Sequence, residues 1–87
     1  MNSNQKAQAR RAVNNSLAEL GRVYHDSIPN AAVDQILTGN GFNALAEGIY
    51  CGRDGQVREE VGFGLWISLV WHKMEVTGRY EIVAYVN

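Results

Sequence analysis

Apolar residues in the first third of the chain recur at helical spacing. Ala9, Val13, Leu17, Leu20 and Tyr24 follow at intervals of 4, 4, 3 and 4, one stripe on a 3.6-residue period, which predicts an amphipathic helix over about 3–26. Lys6, Arg10, Arg11, Asn14, Asn15, Glu19 and Arg22 fall away from that stripe. Ser3 or a neighbouring asparagine can cap its start. Ser27-Ile28-Pro29 ends it, because proline biases the residue before it away from helical backbone. A second, short helix is expected over about 29–38, with Pro29 in its first turn and Val33, Ile36 and Leu37 on its apolar side. Gly39-Asn40-Gly41 closes it, and one more helical turn fits over 42–47.

From Ile49 the period changes to two, and three strands are expected, at about 48–52, 57–75 and 80–86. Asp54-Gly55 is the first hairpin signal and Thr77-Gly78 the second. With Thr77-Gly78 as a two-residue loop, Trp71 faces Ala84 and Leu69 faces Val86, and directly opposed residues share a sheet face. Phe63, Leu65, Ile67, Leu69 and Trp71 then join Tyr80, Ile82, Ala84 and Val86 on a strongly apolar face, the one to be packed under the helices. The other face is mixed: Trp66, Ser68, Val70, His72 and Met74 with Glu81, Val83 and Tyr85. The first hairpin fits less well, since a strict Asp54-Gly55 loop sets Ile49 and Cys51 opposite Glu60 and Arg58. Either a bulge near Gly62 resets the register, or those two side chains face outward. The expected fold class is α+β: a long N-terminal helix and one or two short helices, then a three-stranded antiparallel meander with 57–75 at its centre.

A length of 87 residues, with 46% hydrophobic, fits one globular domain, and no repeat or linker divides it. A formal net charge of −1 excludes a uniformly basic nucleic-acid coat and a polyacidic tail. One cysteine makes no internal disulfide, and one cysteine with two histidines makes no standard structural zinc site, so no metal or other cofactor is implied. The opening Met1-Asn2-Ser3-Asn4-Gln5-Lys6 lacks the apolar run of a signal peptide. The most apolar segment, Val61 to Trp71, is about half the roughly 20 residues that cross a bilayer. The cytoplasm is the compartment these absences imply.

Residues able to do chemistry are present but not arranged for it. Cys51 precedes a glycine turn with no feature that would lower its pKa, and His25 and Asp26, adjacent on a helix, point in different directions. His72, Asp34, Asp54 and Glu60 complete the set without forming a catalytic constellation, and the expectation is that the chain is not an enzyme. Gly62-Phe63-Gly64-Leu65, read as lying within a strand, lacks the Lys-Ser/Thr of a phosphate loop.

The informative feature is the mixed sheet face. Trp66, His72, Met74 and Tyr85, rimmed by Arg58, Glu59 and Glu60, have the composition of a protein-contact surface. The alternatives are that the long helix covers this face, or that a second copy does, making a homodimer. A lesser reading, nucleic-acid contact, begins from Lys6, Arg10, Arg11 and Arg22 on the first helix. Residues 1–26 carry four basic and two acidic groups, a thin footprint for phosphate binding. A winged helix-turn-helix would need 42–47 as its recognition helix, which is too short and nearly uncharged.

In size, α+β build, lack of a catalytic signature and an open surface rich in aromatic and charged residues, the chain resembles the small anti-CRISPR inhibitor proteins of phages and mobile elements. That resemblance covers size and architecture; the group has no common motif, so no residue carries over. It implies a protein that binds a host effector complex and blocks its nucleic-acid path or its recruitment of a nuclease. Many such inhibitors are acidic mimics of nucleic acid. At a net charge of −1 this chain departs from them, which favours apolar occlusion over charge mimicry.

Overall fold

The computed structural model describes residues 2–24, 28–45, 57–73, 75–78 and 80–87, with backbone alone at 57, 71, 72 and 80–83. Two helices, α1 (Ser3–Val23) and α2 (Asn30–Gly39), precede an antiparallel sheet of β1 (Val57–Gly62), β2 (Leu65–Lys73) and β3 (Tyr80–Val86) in the order β1-β2-β3. The fold is α+β, a helical layer on one face of a meander.

Asn2 caps α1: its side chain accepts from the Gln5 N–H at 2.9 Å while the Gln5 side chain accepts from the Asn2 N–H at 3.1 Å, a reciprocal capping box. The helix ends at Val23, since Tyr24 is already extended at φ −105°, ψ 110°. The expected end at 26 lies outside the described residues. Pro29 is extended and stands just before α2 rather than within its first turn. Beyond Gly39 the chain closes with the Phe42 N–H on the Leu37 carbonyl (2.9 Å) and the Gly41 N–H on the Thr38 carbonyl (3.2 Å), Gly41 taking φ 84°. That is a Schellman motif, and it turns Phe42 into the core. The helical turn expected over 42–47 does not form at 42–45, and 46–47 lie outside the described residues. The backbone bonds of 42–45 go elsewhere: the Leu45 N–H donates to the Asp34 carboxylate (2.7 Å) and the Asn43 N–H to the Val61 carbonyl (2.7 Å).

The long strand expected over 57–75 is two strands. Gly62-Phe63-Gly64 reverses the chain, with Phe63 at φ 57° and Gly64 at φ 72°, the pair of positive φ values of a type I′ hairpin. Phenylalanine is strained there. Its ring meets Phe42 edge-on, centroids 5.5 Å apart, which fixes the hairpin tip against the end of α2. Phe63 is therefore at a turn and 42% exposed, not on the apolar sheet face. Register runs Val57↔Leu69, Arg58↔Ser68, Glu59↔Ile67, Glu60↔Trp66 and Gly62↔Leu65, with a bulge between Glu60 and Gly62. The expected strand at 48–52 and the Asp54-Gly55 loop lie outside the described residues.

Gly62 holds φ +113° at this bulge, a backbone that side chains other than hydrogen rarely tolerate. Gly62→Ala is expected to destabilise the fold by about 1–3 kcal/mol, read from urea unfolding. An unchanged midpoint would show that the bulge is dispensable.

Between β2 and β3 the pairs are Ile67↔Val86, Leu69↔Ala84, Trp71↔Ile82 and Lys73↔Tyr80. The expected Thr77-Gly78 register is shifted by two, and the loop lies between Lys73 and Tyr80. A shift of two preserves sheet faces. Leu65, Ile67, Leu69, Ala84 and Val86 accordingly form the buried face with Val61. They pack on Val13 and Leu17 of α1, Val33 and Leu37 of α2, and Ile28, Phe42 and Leu45 from the connections.

Asn14, on the flank of α1, ties the layers together. Trp66 and Asn87 exchange both backbone bonds (2.8 and 2.9 Å), so the next pair in the antiparallel ladder, Ile67↔Val86, leaves the Val86 N–H and carbonyl pointing out of the sheet. The Asn14 amide takes both: Nδ2 donates to the Val86 carbonyl at 3.0 Å, and Oδ1 accepts from the Val86 N–H at 2.6 Å.

Candidate protein-contact face

Because side chains alternate along a strand, burying the odd-numbered residues of β2 turns Trp66, Ser68 and Val70 to the opposite side. Register brings Arg58 and Glu60 of β1 and Tyr85 of β3 onto the same side. Two transverse rows result. One is Glu60–Trp66–Asn87, the other Arg58–Ser68–Tyr85. Trp66 and Tyr85 are diagonal neighbours, each 40% exposed, while Ser68 and Val70 are half-buried between strands. Among the described residues, both helices lie on the other side of the sheet.

Electrostatics on this face are local. The Arg58 guanidinium carbon lies 5.6 Å from the Trp66 ring centroid, a cation–π stack that holds the charge over the face. Glu60, directly across from Trp66, is exposed. Arg58 and Glu60 form no ion pair with each other, whereas Arg22 pairs with Glu19 on α1.

Not every expected contact residue joins this face. Glu59 sits opposite Ile67 on the helix side of the sheet and is half-buried, because an odd position in β1 shares the face of the odd positions in β2. His72 pairs with Glu81 in the ladder, and its side chain lies outside the described residues, as does Met74. The candidates His25, Asp26, Cys51 and Asp54 also lie outside them, and Asp34 is bonded to the Leu45 N–H.

Nor do the four cations of α1 form one patch. At about 100° per residue, Lys6 and Arg22 are roughly 160° apart around the helix. Lys6 is half-buried, Arg10 and Arg11 are exposed at different angles, and Arg22 is engaged by Glu19. Sequence reasoning placed Asn14 with the solvated polar residues; no local signal marks it, because its partner is 72 residues away.

Among the described residues no three or more His, Cys, Asp or Glu side chains converge as metal ligands, and no helix is long and apolar enough to cross a membrane. No protein-family model matches the chain, and comparison with curated proteins and with solved structures finds no match.

Proposed function

We propose that the chain is a non-enzymatic protein-binding module working through the outer face of its sheet. In the form implied by its resemblance to anti-CRISPR proteins, it is an inhibitor that occupies a surface of a host defence complex. The observation that carries the binding reading is the pair of adjacent aromatic rings, Trp66 and Tyr85, each 40% exposed, with Arg58 stacked on the first. Trp, Tyr and Arg are the side chains that most often dominate binding energy at interfaces, and here all three stand on one face of the sheet.

The reading is tested by capturing partners from a bacterial lysate with the wild type and with a Trp66→Ala, Tyr85→Ala variant, then titrating the captured protein. Trp66→Ala alone is expected to weaken binding by about 2 kcal/mol, near thirtyfold, with the circular dichroism spectrum unchanged. Equal affinity for a folded variant removes this face from the contact.

A further inference from the structure

We infer that the partner this face fits is a second copy of the chain, seated face to face about a two-fold axis running along the rows. The inference rests on the reading of the outer face as a protein-contact surface. Its warrant is the arrangement of the two rows. A two-fold axis parallel to the rows and midway between them lays β1 on β1, β2 on β2 and β3 on β3 of the copy, each pair antiparallel. Row Glu60–Trp66–Asn87 then lies over row Arg58–Ser68–Tyr85 of the other molecule.

Every opposition so produced is complementary. Arg58 meets the other copy's Glu60, twice by symmetry, and within one chain these two do not pair with each other. Trp66 stands over the copy's Ser68, and Tyr85 over its Asn87, large on small in both cases. Two-fold contacts require this kind of self-complementarity, and sheets packed face to face about 10 Å apart interdigitate in this way. A two-fold axis parallel to the strands would instead leave each row over its own counterpart with β1 on β3, setting Trp66 on Trp66, Arg58 over Tyr85 and Glu60 over Asn87, so that neither charge meets its opposite. The charges therefore select one arrangement. The paired form covers Trp66 and Tyr85, and another protein gains this face by displacing the copy.

Sedimentation equilibrium of wild type, Arg58→Glu, Glu60→Arg and an equimolar mixture of the two variants tests this. In each variant alone the contact joins like charges, and the dimer dissociation constant is expected to rise at least about tenfold. In the mixture every contact again joins opposite charges, so a heterodimer near wild-type strength is expected. Arg11→Glu, the same charge change on the exposed side of α1, is expected to leave the dimer unchanged. A wild type that stays monomeric up to about 1 mM, variants that dimerise like wild type, or a mixture that does not recover, each overturns the inference. A monomeric wild type that still loses a captured partner on Trp66→Ala overturns the dimer alone and leaves the protein-contact reading standing.

Discussion

Ile67→Ala is expected to cost about 4 kcal/mol of stability, the largest effect of any single truncation on the sheet. Ile67 is fully buried in the central strand, with Glu59 on one side and Val86 on the other. Removing its side chain leaves a hole bordered by both strands and by the helical layer, and the β backbone on either side holds the walls apart. A loss of that size is a large part of the 5–15 kcal/mol that stabilises a typical domain. The urea midpoint falls while the slope stays constant, if the native and unfolded states keep their extent. Trp66→Ala, one residue away, removes a larger side chain but costs less than about 1.5 kcal/mol, because Trp66 is 40% exposed. Equal losses at the two positions would contradict the two-sided assignment of β2.

Asn14→Ala is the second. It strips the Val86 N–H and carbonyl of their partners in a part-buried setting, so the expected cost is about 2–3 kcal/mol, more than two exposed hydrogen bonds contribute. Hydrogen exchange of the Val86 amide gives a local check: it accelerates in the variant by more than the global loss explains. Asn14→Asp keeps the acceptor for the Val86 N–H but turns a carboxylate oxygen toward the Val86 carbonyl. It therefore recovers little of the loss at neutral pH. If Asn14→Ala were neutral, water would be satisfying Val86 as well as the amide does.

The particular residues show what the sequence revealed and what it hid. Val13 and Leu17 announced α1 through spacing alone, since helical periodicity is a local property. Residues 57–73 were harder, because β1 and β2 both bury odd-numbered positions and read as one uninterrupted alternation. A plain two-residue turn at Phe63-Gly64 would pair odd with even residues and break that pattern. The extra residue of the bulge between Glu60 and Gly62 restores it, so the reversal leaves no trace in the period. The usual Asn-Gly signal is missing too, its first position taken by Phe63 for the sake of the distant Phe42. Trp66 and Tyr85 were legible as one face because a two-residue shift in register does not change parity, and Arg58 and Glu60 join them because the bulge keeps β1 in phase with β2. Glu59 was misplaced by composition: it is a charge among charges in the chain, yet parity sends it to the helix side.

Protein chains are made from the N-terminus, and among the described residues α1 precedes β3, the strand it packs against, by more than fifty residues. Hydrogen bonds within α1 can form as soon as its residues are free. Val13 and Leu17 cannot be covered in the native way, nor Asn14 find Val86, until β3 has left the ribosome. Assembly of the layers thus waits for β3, and a nascent chain halted before Val86 carries a helix with its apolar stripe still undocked.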